Sequence, residues 1–285
     1  MIKKAVFPAA GFGTRFLPAT KSSPKEMLPI VDIPIIDLAV REAKESGIEE
    51  IIIVTGRGKG AIENYFDKSY ELERELIEKG KDDLAEIVRG IYQDIQVVYV
   101  RQREMRGLGD AVLTAKSIVG DEPFAVMLAD DVIFSQTPCL KQMINVFDET
   151  KSSILASQEV DNISAYGAID PEEVSGSTIK IKGTVEKPRK EDAPSNFAII
   201  GRYIFTPRIF ELLEKTKQDA KGEVQLTDAI SALLQEENVY GYLFEGERFD
   251  TGNKLGFLKA TVYSALQRDD TKYEFKEYLQ EIIKN

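Results

Sequence analysis

The sequence predicts an α/β fold in which helices flank a mostly parallel, mixed sheet that carries a small added β subdomain. In the first half of the chain, apolar segments of strand length alternate with segments of helix length, an order typical of a parallel sheet. The apolar run within residues 50–56 is continuous and β-branched, which indicates a strand covered by helices on both faces. In the second half, strand-like segments are joined partly by turns, which predicts either a mixed sheet or a subdomain built onto the first half.

The first half gives a strand, a loop, a helix and further strands in that order. Residues 3–8 form the first predicted strand, and a glycine-rich turn follows at residues 9–15. Five apolar residues then share one helical face before Gly47, the predicted helix stop: Ile35, Ile36, Ala39, Val40 and Ala43. We expect further strands at residues 50–56, 95–100 and 124–128, with a helix after Gly109.

The remaining segments complete a single predicted domain over residues 1–285. The charged stretch 67–90 predicts solvated amphipathic helices, and strands are expected at residues 153–160, 178–185, 197–205 and 239–244. Residues 252–285 are helical in pattern, with four apolar residues on one side: Leu255, Leu258, Val262 and Leu266. A chain-terminal amphipathic helix often packs on a partner subunit, so we expect a homo-oligomer, a dimer or a tetramer.

The charge balance restricts the partners. With 37 basic and 48 acidic side chains, the chain of 285 residues has a formal net charge of −11. An acidic surface repels nucleic acid and anionic lipid, so we expect no nucleic-acid partner and no membrane association. No apolar run approaches the roughly 20 residues of a spanning helix, and the N-terminal apolar stretch is too short for a signal peptide. We therefore expect a cytoplasmic protein.

Two residue types restrict the chemistry. The chain has no histidine, which excludes Ser-His-Asp hydrolysis, imidazole base catalysis and histidine-bound metals. Its single cysteine, Cys139, excludes an internal disulfide and a cysteine-built zinc site. Carboxylates, Lys, Arg and backbone amides remain, and these groups suit hard cations and phosphates.

The glycine-rich turn after the first strand matches neither common phosphate-binding pattern. Phe16 stands where a dinucleotide fingerprint needs its third glycine, and no Gly-Lys-Ser/Thr of a Walker loop follows. The turn is either structural or a place where backbone N–H groups approach a ligand, with Arg15 offering donors to phosphate oxygens.

Charged residues also gather at predicted strand ends. Asp130 and Asp131 follow the fourth strand, and Asp250 follows a later segment. Such acids are often only turn formers, but the carboxyl ends of parallel strands bind ligands, and Mg²⁺ prefers one or two carboxylates plus substrate phosphates. Lys25 in a proline-flanked loop and the Glu186-Lys187 pair complete the candidates.

Taken as an ordered set, these motifs resemble the sugar nucleotidyltransferases, and most closely the bacterial UTP:glucose-1-phosphate uridylyltransferase branch. The resemblance covers essentially the whole chain and is carried by residues 9–15, 24–29, 166–167, 186–188 and 250–252. Residues 193–196, 200–203 and 223–229 strengthen the match to that branch. One position departs from it: the branch has a histidine after Gly-Leu-Gly, where this chain has Asp110, an acid found in other nucleotidyltransferase branches.

The resemblance implies a Rossmann-like nucleotidyltransferase fold, with a nucleotide-binding half at about 1–150 and a sugar-binding half with the C-terminal helices at about 151–285. It implies transfer of a uridylyl group from UTP to glucose 1-phosphate, which gives UDP-glucose and pyrophosphate with Mg²⁺ as cofactor. A thymidylyltransferase using the same sugar phosphate and a non-catalytic nucleotide-sugar-binding relative are the alternatives.

The resemblance also implies roles for individual residues. The catalytic group is Arg15, Lys25 and Lys187, the metal ligands are Asp130 and Asp250, and the sugar contacts are Gly167, Glu186 and Gly201. The nucleotide contacts are Ala9, Ala10, Gly11, Gly13, Glu26, Gln102 and Gly107. Asp131 is expected to be either a metal ligand or an acceptor that supports the site, and Arg101 and Asp110 are left without a role. We expect the Gln102 amide to offer both an acceptor and a donor to a diketo pyrimidine.

Overall fold

The protein is built on one nine-stranded sheet and two short two-stranded sheets, in a computed structural model that describes residues 1–284. The strands are β1 (Lys4–Ala9), β2 (Pro29–Ile30), β3 (Ile33–Pro34), β4 (Glu50–Thr55), β5 (Gln96–Arg101), β6 (Phe124–Met127), β7 (Asp131–Phe134), β8 (Ser153–Glu159), β9 (Gly167–Ser175), β10 (Thr178–Glu186), β11 (Phe197–Phe205), β12 (Val239–Leu243) and β13 (Glu247–Asp250). The helices are α1 (Ile35–Glu45), α2 (Gly60–Tyr65), α3 (Tyr70–Glu78), α4 (Asp82–Tyr92), α5 (Gly107–Thr114), α6 (Lys116–Val119), α7 (Cys139–Thr150), α8 (Arg208–Lys215), α9 (Leu226–Leu233), α10 (Lys254–Gln267) and α11 (Lys272–Lys284).

The large sheet has the strand order β5-β4-β1-β6-β11-β8-β12-β10-β9. Strands β5, β4, β1 and β6 are parallel, as the alternating pattern of the first half predicts. The second half is mainly antiparallel, because β9 and β10 form a hairpin and β11 runs against both of its neighbours. Of the two arrangements left open for the second half, the structure has the mixed sheet: β8 to β12 continue the first sheet. The α/β fold class is confirmed.

Two apolar cores lie on the two faces of this sheet. Because consecutive strand side chains point to opposite faces, Phe7 of β1 lies in one core while its neighbour Val6 lies in the other. Helices α1 and α7 cover the first face, and α5, α8 and α9 cover the second. This double cover explains the continuous apolar run of β4, in which Ile51, Ile52 and Ile53 are all fully buried.

The parallel register brings separate segments of the sequence to one edge. Ala9 at the end of β1 pairs with Thr55 of β4, and Thr55 pairs with Arg101 of β5. The turns that follow these strands are therefore neighbours at the carboxyl edge. The turn after β6 reaches the same edge and leads into β7, which pairs with β13 so that Asp131 lies opposite Asp250.

The C-terminal helices leave apolar side chains uncovered. On α10, Leu255 is 63% exposed and Leu258 is 60% exposed, so this part of the predicted apolar side faces away from the chain's own cores. No helix within residues 1–284 is long and apolar enough to cross a bilayer.

Candidate active site

A cavity of about 250 Å³ opens at the carboxyl edge beside the first turn. Four of the predicted nucleotide-binding residues line it: Ala10, Gly11, Gln102 and Gly107. Ala9 lies directly beneath, as the buried last residue of β1. Sequence reasoning therefore selected residues that the sheet register brings together from β1 and from the segment after β5.

Two glycines near the cavity have positive φ and neighbours too close for a Cβ. Gly107 has φ +89°, and a Cβ there would lie 2.9 Å from Glu223 Cβ and 3.0 Å from the Val224 carbonyl oxygen. Gly13 has φ +65°, and its Cβ would lie 3.0 Å from Lys25 Cβ. Gly13 therefore lets the Lys25 loop pack against the first turn, and its predicted contact with the nucleotide stays a prediction.

The side-chain amide of Gln102 is held by hydrogen bonds to other residues of the chain. Its Nε2 atom donates to Asp110 Oδ2 at 2.8 Å and to the Gly107 carbonyl at 3.2 Å. Since an amide nitrogen has two hydrogens, both donors are used within the protein. The expectation that Gln102 offers a donor as well as an acceptor is therefore wrong in its donor half, and Oε1 remains for a ligand.

Two carboxylates converge next to Gly252, two residues before α10 begins. A Cβ on Gly252 would lie 2.8 Å from Asp130 Oδ2 and 3.0 Å from Asp250 Oδ1. The same position is 3.2 Å from a guanidinium nitrogen of Arg15, which donates to the Gly252 carbonyl at 2.9 Å. Predicted metal ligands and a predicted phosphate-binding residue thus face one space that the absent side chain keeps open.

Hydrogen bonds made by residues 251–253 fix the two carboxylates relative to each other. The Asp130 carbonyl accepts from the Thr251 amide at 2.7 Å and from its hydroxyl at 2.8 Å. Asp250 accepts from the Gly252 amide at 2.9 Å and from Asn253 Nδ2 at 3.0 Å. The pairing of β7 with β13 joins the same two segments, which are about 120 residues apart in sequence. The carboxylates of Asp130 and Asp250 are therefore held in a fixed relative position.

Lys25 lies beside this space, next to Asp130. Its Nζ is 2.6 Å from Asp130 Oδ2. Burial disfavours the charge on each partner, but their mutual attraction outweighs it, so the pKa of Lys25 lies above its ordinary value and the pKa of Asp130 below its own. Both groups are therefore charged throughout the neutral pH range.

Glu26, predicted to touch the nucleotide, is buried beneath the Lys25 loop. It is 2% exposed, and its Oε2 atom is 2.7 Å from Nζ of Lys59, which is also buried. Its Oε1 atom has no hydrogen-bond partner among the residues that the structure describes, and its predicted contact with the nucleotide stays a prediction. The Glu26–Lys59 pair anchors the loop to the turn after β4, because an ion pair buried on both sides is costly to break.

Asp131 has a supporting role, one of the two roles expected for it. Its Oδ1 atom accepts from Arg248 Nε at 2.6 Å, and its Oδ2 atom accepts from the Gly201 amide at 3.0 Å. A Cβ at Gly201 would lie 2.5 Å from Asp131 Oδ2. Gly201, a predicted sugar contact, is thus placed against Asp131, and its contact with sugar stays a prediction.

The buried side chain of Arg202 fixes the turn that carries Asp130. It is fully buried and pairs with Glu42 of α1, with its Nη2 2.7 Å from Glu42 Oε2. Its two terminal nitrogens also donate to the carbonyls of Leu128 at 2.8 Å and Asp131 at 2.7 Å, on either side of Asp130. Glu42 neutralises the buried guanidinium, which in turn fixes the backbone that carries the metal-ligand candidate.

Two of the three predicted sugar residues, Gly167 and Glu186, form a second group with Lys187 at the facing ends of β9 and β10. Glu186 Oε1 lies 2.8 Å from Lys187 Nζ, and Glu186 Oε2 accepts from the Thr227 hydroxyl at 2.6 Å. Gly167 pairs with Glu186 across the hairpin. Lys187 has φ +44°, a strained conformation for a side-chain-bearing residue, and such strain is concentrated at functional sites.

Sequence reasoning missed several residues that support this site: Lys59, Arg202, Arg248 and Thr227. Lys59 follows Gly56 and Gly58 in a turn after β4, and that glycine spacing was an available signal. Arg202, Arg248 and Thr227 lie within or next to motifs that carry the resemblance, but their partners are distant in sequence and only the fold identifies them.

The carboxylates of Asp130 and Asp250 fit a hard divalent cation that takes its remaining ligands from a substrate and from water. Within residues 1–284, no group of three or more carboxylate, imidazole or thiol side chains is placed to hold a metal ion. Asp130 and Asp250 present two carboxylates to the open space beside Gly252. Mg²⁺ commonly binds through one or two carboxylates and completes its shell with phosphates and water.

Comparisons with known proteins show the family of this chain. The nucleotidyl transferase family matches residues 4–265. The UTP–glucose-1-phosphate uridylyltransferase of Staphylococcus haemolyticus is 52% identical over 283 residues, which cover 99% of this chain and 98% of the relative.

Two solved structures are also similar. A UTP-bound UGPase from Acinetobacter baumannii has a TM-score of 0.93 and 43% identity, with 99% of each chain covered. A UDP-glucose pyrophosphorylase in complex with UDP-glucose has a TM-score of 0.87 and 46% identity, covering 94% of this chain and 100% of its own. The chain belongs to the nucleotidyl transferase family, and within that family to the UTP–glucose-1-phosphate uridylyltransferases.

Proposed function

We propose that this chain transfers the uridylyl group of UTP to glucose 1-phosphate, with release of pyrophosphate and formation of UDP-glucose. The observation that carries the proposal is a set of three groups, of which the last two are linked by hydrogen bonds: Arg248 donates to Asp131 and to the Tyr166 hydroxyl, and the Tyr166 carbonyl accepts from the Lys187 amide. The three groups are the cavity at Gln102, the Asp130–Asp250 space with Lys25 and Arg15, and the Glu186–Lys187 pair. They suit a base, a chain of phosphates and a sugar phosphate, respectively.

In this reaction a phosphate oxygen of glucose 1-phosphate attacks the α-phosphorus of UTP in line. The bond from that phosphorus to the oxygen bridging to the β-phosphate breaks, and pyrophosphate leaves with both electrons of the bond. The second pKa of a phosphate monoester is about 6, so the nucleophile is already anionic and no base is needed. The absence of histidine from the chain is compatible with such a step.

The chain's own residues then position and neutralise two anions. The backbone at Ala9, Ala10 and Gly11 and the Gln102 side chain hold the nucleoside. Arg15 and Lys25 bind the triphosphate, and Lys187 binds the sugar phosphate. Glu186 accepts from sugar hydroxyls, in a region also formed by Gly167 and Gly201. Cations aligned before the reaction stabilise charge on the leaving group without reorganisation.

Mg²⁺ is the cofactor we infer for Asp130 and Asp250. When bound, it would neutralise charge on the phosphate oxygens. Lys25 is paired with Asp130 at 2.6 Å, so the lysine proposed to bind the triphosphate lies beside a carboxylate that would hold the cation.

Pyrophosphate release tests the proposal. UTP, dTTP, CTP, ATP and GTP would each be incubated with glucose 1-phosphate and Mg²⁺, and both products would be quantified. We expect equal amounts of pyrophosphate and UDP-glucose from UTP, a slower reaction with dTTP, and little from the other three. Higher kcat/KM with dTTP would favour the thymidylyltransferase alternative, and no pyrophosphate from any triphosphate would favour a non-catalytic binding protein.

We also propose that the chain assembles into a homo-oligomer through its C-terminal helices. Leu255 and Leu258 on α10 and Ile283 on α11 are 63%, 60% and 82% exposed. Burial of such apolar side chains between subunits would stabilise an assembly. Sedimentation of the purified chain should give a dimer or a tetramer, and Leu258→Glu should shift it toward the monomer. A wild-type monomer at micromolar concentration would contradict this proposal.

A further inference from the structure

The Gln102 amide lies between the nucleotide cavity and a charged pair behind it. Asp110 Oδ2 accepts from Gln102 Nε2 at 2.8 Å, and Asp110 Oδ1 is 3.0 Å from a terminal nitrogen of Arg106. Gln102 lines the nucleotide cavity, whereas Asp110 lines a neighbouring cleft with Arg101, Arg103 and Arg106. Asp110 therefore reaches the cavity only through Gln102.

The chemistry of the neighbours decides which way the amide points. A carboxylate paired with an arginine can only accept hydrogen bonds, and so can the Gly107 carbonyl. The reverse orientation would place Gln102 Oε1 against two acceptor oxygens. Both Gln102 and Asp110 are only 7% exposed, so water would compensate little for that loss. The amide oxygen is thus directed away from Asp110.

We propose that Asp110 is a specificity-determining positioning residue, which fixes Gln102 with its oxygen available to the base and thereby selects bases that carry a ring N–H. The inference rests on the proposed function, because it assigns the cavity to the base of the triphosphate. Uracil and thymine have N3–H, whereas cytosine N3 and adenine N1 are acceptors and would face Oε1 unpaired. Guanine also has a ring N–H, so the position of the Gln102 oxygen does not explain why GTP would be excluded.

The substitution Asp110→Asn tests the proposal with almost no change of shape. Arg106 donates and so holds the single oxygen of the asparagine, which turns its Nδ2 toward Gln102. The Gln102 amide can then reverse and present its NH₂ to the cavity, which suits cytosine. We expect the ratio of kcat/KM for UTP to that for CTP to fall by about tenfold or more. The kcat with UTP and the KM for glucose 1-phosphate should change less than about threefold.

A double-mutant cycle separates positioning from a general structural effect. Gln102→Ala removes the amide, so Asp110→Asn should not change the UTP/CTP ratio any further in that background. A purely structural Asp110 would act equally in both backgrounds. Arg103→Gln is the matched control, because Arg103 lines the same cleft and should leave the ratio unchanged. If the asparagine variant does not fold, Asp110→Ser replaces it, because a hydroxyl also leaves the amide free to turn.

Calorimetric binding of UTP and CTP distinguishes failure of this inference from failure of the proposed function. If the wild-type chain binds UTP selectively and Asp110→Asn removes the preference, the inference stands even without turnover. If the wild-type chain makes UDP-glucose but the variant keeps its UTP/CTP ratio within twofold, the inference is overturned. An equal effect of Asp110→Asn in the Gln102→Ala background would also overturn it.

Discussion

The substitutions Asp130→Asn and Asp250→Asn are each expected to lower kcat by about 10²- to 10³-fold in a chain that remains folded. Both carboxylates face the space beside Gly252, and the substrates bring several negative charges to it. An asparagine keeps the shape of the side chain but removes the charge that attracts a divalent cation. Initial rates of pyrophosphate release at saturating substrates measure the effect, and circular dichroism verifies the fold.

Asp148→Asn is the matched control, since Asp148 is a half-exposed carboxylate near the end of α7 that pairs only locally with Lys151. It should keep wild-type activity. Wild-type turnover should also stop in excess chelator and return with Mg²⁺. Full activity of either site variant, or an undiminished rate in excess chelator, would refute the metal assignment.

The second large effect distinguishes the substrate that Lys187 binds from the substrate that Lys25 binds. Lys187→Ala is expected to raise the KM for glucose 1-phosphate about 10- to 100-fold, because a hydrogen bond to a charged group contributes about 1.5–3 kcal/mol. Lys25→Ala should instead lower kcat/KM for UTP, since Lys25 lies beside Asp130 and Lys187 lies at the end of β10. Initial rates with one substrate varied at a time measure both.

Lys182→Ala controls for loss of positive charge on β10, because Lys182 pairs with Asp170 on the surface of the same hairpin. It should leave both KM values unchanged. If Lys187→Ala impaired only UTP use, the assignment of the two substrates to these two lysines would have to be reversed.

Strand patterns in the sequence specified most of the sheet, because apolar runs such as residues 197–205 belong to strands that are buried on both faces. That segment is β11, with the predicted bounds. Strands β7 and β13 were not predicted, because each has only four residues and a mixed polar pattern, and their stability depends on pairing with each other. Short strands of this kind are specified by tertiary contacts rather than by local periodicity.

The residues of the candidate site also fall into two groups, those that the sequence indicates and those that only the fold identifies. Residues that follow strands, such as Gln102 and Asp130, could be selected because parallel strands end at a common edge. The buried partners could not be selected: Arg202 and Glu42 are 160 residues apart, and nothing local indicates that they pair. Nothing local indicates either that Glu26 pairs with Lys59, 33 residues away.

Exchange of labelled pyrophosphate into UTP tests the central claim most directly, because it reports on making and breaking the bond at the α-phosphorus. Direct attack by the sugar phosphate requires that label enter UTP only when glucose 1-phosphate is present. We expect exchange with UTP, Mg²⁺ and glucose 1-phosphate together, and none when the sugar phosphate is omitted. Exchange without it would demonstrate a covalent uridylyl-enzyme, and no exchange under either condition would contradict uridylyl transfer itself.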